Sequence, residues 1–320
     1  MGWAAERVPW NLIRVMPAKG NAMPPAIILP ETDVLATSPS SSPSAPGARP
    51  AVPPNVVTIA GVDPSGGAGV LADLKAFSAL GAYGSAVIAA LTAQNTQGVA
   101  GVHVPPNDFL ALQIDTLFAD VAIAAAKTGM LGTPAVVRTV AEGFAKWRPA
   151  QVVVDPVMVA KSGDKLLSDE SIGLIKEALL PQATVITPNL PEAAVLVEIG
   201  HPESVREMYK AAEKLRRLLP DDGRRWVLLK GGHLPGDDLT DLLFDGDRMI
   251  EFEGRRLPTR NTHGTGCTLS AAIAALLPQR PDVPAAVADA RTYLNRAIAE
   301  SGRLRVGSGH GPTHHFHAWW

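Results

Sequence analysis

The sequence predicts an α/β fold in which a mostly parallel central sheet carries helices on both faces. Two patterns point to it. Short, wholly apolar runs alternate along the chain with segments of helical periodicity, as in crossover-connected strands buried on both sides. Glycines and polar residues cluster directly after those runs, where ligands bind in such sheets.

The elements follow in order. Val56–Gly61 reads as a buried strand, and Ser65–Leu80 as a helix closed by Gly81. Ser85–Leu91 is the next strand, and Asp108–Phe118 shows a helical apolar face through Phe109, Leu112 and Leu117. Ile123–Lys127 is a short strand, and Thr133–Trp147 a helix with Pro134 in its first turn. Val152–Asp155 is an apolar strand ending on an acid, and Ser168 caps a helix running to Leu180. A short strand, Val185–Thr187, precedes a helix opening at Pro191, and Ser204–Leu219 is a polar-faced helix. Trp226–Lys230 is a strand ending on a lysine, and Leu239–Phe244 and Arg248–Phe252 form a hairpin through Asp245-Gly246-Asp247. The chain closes with a helix after Cys267 and another from Val283 to Ser301.

Composition narrows the partners. The chain has 320 residues, 46% of them apolar, enough for a sizeable core. Its net charge is −2 and it has no Lys/Arg block, which argues against nucleic acid and anionic membranes. A single cysteine excludes an internal disulfide and suits a reducing compartment, so a cytoplasmic location is expected. Residues 1–55 read as a disordered extension, because Ser38–Pro54 is dominated by Ser, Pro and Ala. They lack the apolar core of a signal peptide, while Arg7, Arg14 and Lys19 leave a transit peptide open. The folded domain is 56–320.

Asn261-Thr262-His263-Gly264-Thr265-Gly266-Cys267 carries most of the chemistry. A glycine-punctuated loop opening onto a helix presents free N–H groups and the positive helix end to an anion. The same position favours the thiolate of Cys267. An ordinary glycine-rich cap is the alternative. No Walker loop occurs, which leaves this segment as the natural phosphate cradle. Gly67-Ala-Gly69-Val-Leu-Ala72 fits a loose dinucleotide fingerprint, but the next strand ends in Thr92-Ala-Gln94-Asn95 without a ribose-binding acid. A tight strand-to-helix turn explains its glycines equally well. Asp155 and Glu192, with Asn189, suit a water-rich Mg²⁺ shell or are solvated loop acids. Lys230 could meet phosphate or solvent. His310, His314, His315 and His317 lack the spacing and partners of a zinc site, and His263 reads as a loop hydrogen-bonder.

Taken together, Thr58–Gly69, Ala90–Thr96, Lys127–Leu131, Asp155–Met158, Lys161–Gly163, Thr187–Glu192, Lys230–His233, Asn261–Cys267 and the tail Gly311–Trp320 resemble the bacterial hydroxymethylpyrimidine/phosphomethylpyrimidine kinases of thiamine biosynthesis. The resemblance implies a ribokinase-like fold, use of ATP with Mg²⁺, and a homodimer. It implies two successive phosphorylations, of 4-amino-5-hydroxymethyl-2-methylpyrimidine and then of its monophosphate. By resemblance Gln94 pairs with the pyrimidine edge, and Gly61, Asp73, Met130 and Val157 line the same pocket. Asn189, Glu192, Lys230, Thr262 and Thr265 serve ATP, and Asp155 and Glu192 the metal. Gly264, Gly266 and Cys267 stand at the transfer itself, with Cys267 where related sugar kinases place an aspartate base. A pyridoxal kinase is the nearest alternative, since pyridoxal is also a hydroxymethyl heteroaromatic. A non-catalytic pyrimidine-binding regulator would not need the phosphate and metal residues.

Overall fold

The computed structural model describes residues 13–17, 52–158 and 167–320. Strand β1 (Ile13–Pro17) belongs to the expected extension, but it pairs antiparallel with a strand of the folded domain. The rest of 1–51, and the Lys161–Gly163 motif, lie outside the described residues.

The body of the chain runs β2 (Asn55–Val62), α1 (Gly69–Ala79), β3 (Tyr83–Gln94), β4 (Val99–His103), α2 (Asn107–Asp120), β5 (Ala125–Thr128), α3 (Pro134–Trp147) and β6 (Val152–Val154). It continues with α4 (Asp169–Leu174), β7 (Val185–Ile186), α5 (Leu190–Val197), α6 (Val205–Arg216), β8 (Trp226–Leu229), β9 (Asp238–Phe244), β10 (Arg248–Arg255), α7 (Thr265–Leu276) and α8 (Val283–Ala299). The sheet order is β1-β10-β9-β8-β7-β6-β5-β2-β3-β4. The strands from β8 across to β3 are parallel, and the flanking pairs are antiparallel.

Alternation within single strands explains why the apolar runs are continuous. Val57 and Ile59 of β2, Val152 and Val154 of β6, and Val227 and Leu229 of β8 enter one core with α2 to α6. Val56, Val153, Trp226 and Leu228 point the other way, into a second core with α1, α7 and α8. Both faces of one strand are therefore dry. None of the helices among the described residues is long and apolar enough to cross a membrane.

Several elements differ from the sequence reading. The helix expected from Ser65 starts only at Gly69, because Asp63 accepts the N–H groups of Ser65 and Ala68 and holds 63–68 as a loop. β3 runs on to Gln94, past the Leu91 expected as its last residue, and turns into the unanticipated strand β4. Ser168 caps α4 as expected, with its side chain accepting the Ser171 N–H at 3.2 Å. That helix then relaxes into a π-turn, Ile175–Leu179, and a 3₁₀ turn ahead of Ala183.

From β2 the chain passes to β3 on one side and later to β5 on the other. The crevice at the carboxyl ends of β2 and β5 is thus a topological switch point, where open α/β sheets bind ligands.

Candidate active site

The switch point is built from Gly61 and Met130. The Gly61 N–H donates to the Met130 carbonyl at 3.2 Å, and a Cβ on Gly61 would lie 2.8 Å from Met130 Cε. Glycine there lets the two strand ends meet. Gln94 lies half-buried at the end of β3, its Oε1 accepting the Thr92 hydroxyl at 3.2 Å and its amide N–H₂ left over. Val157 is half-buried after β6, with its N–H on the Asp155 carbonyl at 2.8 Å.

Beneath this edge Asp73 and Lys127 are both wholly buried and pair at 2.8 Å. Asp73 Oδ2 also accepts the Thr58 hydroxyl at 2.6 Å, while Oδ1 has no partner. Burial pushes the Asp73 carboxyl up against the pull of Lys127. Burial works against the Lys127 charge, but Asp73, Cys267 and Asp155 together hold it above the ordinary lysine range. A lysine inside a buried strand must find a carboxylate, and Lys127 finds Asp73 across 54 positions of chain, a pairing that its motif alone does not reveal.

The second half of the site gathers at β6, β7, β8 and α7. Asp155 is 2% exposed, and Oδ1 accepts from Thr187 at 2.9 Å and from Lys230 Nζ at 3.1 Å, while Oδ2 accepts from Ser270 at 3.1 Å. Burial opposes its charge, yet Lys230 and Lys127 hold the carboxyl below its usual range. Burial opposes the Lys230 charge too, but Asp155 and Glu192 raise it. Nothing in the spacing of Thr187 and Ser270 marks them in the sequence, because they reach Asp155 from two different elements.

Asn189 and Glu192 form the capping box of α5: Asn189 Oδ1 accepts the Glu192 N–H at 2.9 Å, and Glu192 Oε2 the Asn189 N–H at 2.8 Å. Glu192 is buried, and burial together with Asp155 pushes its carboxyl up to about 7 despite Lys230. Two crowded carboxylates, one of them reluctant to ionise, fit a divalent cation nearby. Glu192 already accepts backbone N–H groups from Asn189 and Met158, so contact through water suits it best. Among the described residues no three His, Cys, Asp or Glu side chains gather closely enough to hold a metal by themselves.

α7 begins at Gly264, with φ +76° and no side-chain cap. The first intrahelical bond is Thr268 N–H to the Gly264 carbonyl, which leaves the N–H groups of Thr265, Gly266 and Cys267 without helical acceptors. A Cβ on Gly266 would lie 3.5 Å from Lys230 Nζ and 3.9 Å from Asp155 Oδ2. The uncapped helix end therefore faces the Asp155–Lys230 pair. Thr265 turns its hydroxyl back to the Thr262 carbonyl at 3.3 Å, closing the loop turn.

Cys267 differs from the expectation of a favoured thiolate. Burial, with Asp73 and Asp155 adding to it, pushes its thiol up to about 11, although Lys127 and the Gly69 N–H pull the other way. Helix-end stabilisation loses here to desolvation and two nearby carboxylates. The C-terminal histidines serve the tail. His315 Nε2 bonds the Thr268 hydroxyl at 3.0 Å, and the Tyr293 hydroxyl donates to the His315 carbonyl at 2.8 Å.

Residues 63–314 match the family model described as phosphomethylpyrimidine kinase. The hydroxymethylpyrimidine/phosphomethylpyrimidine kinase of Escherichia coli is 49% identical over 266 residues, 83% of this chain and 98% of that protein. The crystal structure of the phosphomethylpyrimidine kinase of Clostridium difficile superposes with a TM-score of 0.68 at 38% identity, covering 77% of this chain and 99% of that one. The pyridoxal kinase of Staphylococcus aureus in complex with AMP-PCP superposes with a TM-score of 0.75 at 33% identity, covering 83% and 94%. The fold is thus ribokinase-like and shared with pyridoxal kinases, while the sequence sides with the pyrimidine kinases. The chain belongs to the hydroxymethylpyrimidine/phosphomethylpyrimidine kinase family, phosphotransferases of thiamine biosynthesis.

Proposed function

We propose that the chain uses MgATP to phosphorylate 4-amino-5-hydroxymethyl-2-methylpyrimidine and then its monophosphate, at the edge between β2 and α7. The observation that carries this is the uncapped N-terminus of α7 facing the buried Asp155–Lys230 pair. Phosphoryl transfer asks mainly for positioning and for charge around the moving group.

The pyrimidine edge would pair with the side-chain amide of Gln94, its N–H₂ donating and the second lone pair of Oε1 accepting. Gly61, Met130 and Val157 would frame the ring, with Asp73 behind them. Bound MgATP would supply the phosphoryl group and a divalent charge shared among its oxygens. Asp155 and Glu192 would hold that cation through water, while Lys230, Asn189, Thr262 and Thr265 face the phosphates. The N–H groups of Gly264, Gly266 and Cys267 would hold the transferring oxygens in line with the acceptor hydroxyl. Cys267 stands beside that hydroxyl, but its thiol keeps its proton at neutral pH. Proton loss then follows transfer, which a loose transition state permits.

A homodimer and a cytoplasmic setting belong to the same reading. Leu91, Val99 and Val102 on the β3–β4 hairpin, and Phe109 and Leu112 on α2, are exposed apolar residues on neighbouring elements that a second copy would cover. The decisive assay follows mono- and diphosphate separately from ATP and hydroxymethylpyrimidine, with pyridoxal in parallel. Absence of the diphosphate refutes the two-step reading. Faster turnover of pyridoxal refutes the choice of acceptor.

A further inference from the structure

Two glycine loops separated by 200 positions close on each other through one pair of side chains. His263 Nε2 lies 2.7 Å from Asp63 Oδ2. Asp63 Oδ2 also accepts the Ala68 N–H at 3.1 Å, and Oδ1 the Ser65 N–H at 2.8 Å. Its carboxylate thus faces three donors. Burial raises it, but the bonds from His263 and Ser65 outweigh burial and keep it below the usual carboxylate range. The imidazole must therefore be the donor, with its proton on Nε2.

Glycines make this approach possible. A Cβ on Gly67 would overlap His263 Cδ2, and a Cβ on Gly264 would overlap the Gly67 carbonyl oxygen. The first loop is braced from behind by Lys75, whose ammonium donates to the Gly66 carbonyl at 2.7 Å. The second is braced by the tail, where the His263 N–H donates to the Gly311 carbonyl at 3.1 Å. His263 immediately precedes Gly264, the residue that starts α7.

We propose that Asp63 and His263 form a latch that sets the phosphate cradle against the pyrimidine side of the site, making both positioning residues for phosphoryl transfer. The proposal rests on reading Gly264–Cys267 as the cradle. Neither side chain needs to touch the moving phosphoryl group. Their work is to fix the N–H groups of α7 relative to the loop that follows β2, and an ångström of misplacement costs up to about 100-fold in rate.

The chemistry of the pair dictates the test. Glutamine can place an N–H donor where His263 Nε2 stands, and alanine cannot. Asparagine at position 63 would turn an N–H₂ group toward N–H donors. Steady-state kinetics of the full chain should show His263→Ala losing about 10- to 100-fold in kcat, with the pyrimidine KM within about threefold. His263→Gln should recover most of that loss, and Asp63→Asn should be at least as impaired as His263→Ala. The double variant Asp63→Asn/His263→Ala should be no worse than the poorer single, because a broken latch cannot break twice. Thermal melts run alongside separate misfolding from misplacement. Equal kcat for His263→Ala and the native enzyme overturns the latch, as does equal impairment of the Ala and Gln variants. Gly266→Ala keeps the latch and adds a methyl group beside Lys230, so it tests the cradle alone. Loss of transfer there, with normal turnover in His263→Ala, refutes only the latch. Because that methyl makes only ordinary contact at 3.5 Å with Lys230 Nζ, the larger Gly266→Val fills the space in front of Lys230, and normal turnover in Gly266→Val refutes the cradle and the latch with it.

Discussion

Glu192 is held in a state that works against the stability of the protein, and replacing it with glutamine should reveal the cost. Its carboxyl, ordinarily near 4.5, is pushed up to about 7 by burial and by Asp155. The folded state therefore holds a proton that the unfolded chain releases earlier. The associated stability is complete below pH 4.5 and is lost as the pH rises toward 7. Holding the proton from 4.5 to about 7 corresponds to about 3 kcal/mol of stability lost by pH 8. Glu192→Gln removes the titration yet keeps a side-chain oxygen for the Asn189 N–H of the capping box. Urea denaturation of both proteins at pH 4.5 and pH 8 should show Glu192→Gln gaining about 3 kcal/mol relative to the native chain between the two. Groups remote from Glu192 cancel in that difference, and its neighbours Asp155 and Lys230, held below and above their usual ranges, do not titrate between pH 4.5 and pH 8. kcat/KM for ATP should fall by about 10- to 100-fold, as expected for a residue that orients a metal shell. A stability difference that does not change with pH would refute the reasoning, because a carboxyl that titrates normally carries no such cost.

Four other outcomes are expected. Gly264→Ala should lower Tm and abolish transfer, since φ is +76° and the new Cβ would overlap the Gly67 carbonyl; the backbone conformation alone costs about 1–3 kcal/mol, readable by calorimetry. Cys267→Ala should keep kcat within about tenfold of native, because a thiol held to about 11 supplies little base at neutral pH; a thousand-fold loss would restore the base role. Gln94→Ala should raise the pyrimidine KM by about 10- to 100-fold and leave that of ATP unchanged, the mark of lost hydrogen bonds at one substrate only. Lys127→Met should cost about 3–5 kcal/mol in urea denaturation by stranding the buried Asp73 carboxylate; Lys127→Met/Asp73→Leu should recover most of that stability.

Much of the fold was legible because its signals are local. The runs at Val152 and Trp226 are apolar throughout and the run at Val56 is broken only by Thr58, a pattern that strands dry on both faces need. Ser168 announces its helix through a side-chain cap that depends on three following residues. Strand β4 escaped notice because Val99–His103 is exposed along its whole length and shows no apolar alternation. The start of α1 was misplaced because Asp63 competes for the N–H groups that a helix at Ser65 would have used.

The site divides in the same way. A glycine loop opening a helix, carboxylates and a lysine at strand ends, and a lone cysteine among them can be read directly along the chain. These follow from backbone requirements within a few positions. The chemical state of each group depends on partners distant in the chain. Asp155 meets Lys230 across 75 positions and Ser270 across 115, and Asp63 meets His263 across 200. Cys267 stands at a helix end that favours its thiolate, yet desolvation and the nearby Asp73 and Asp155 favour the thiol. Charge and desolvation act through space, and the neighbours that set them are brought together only by the fold.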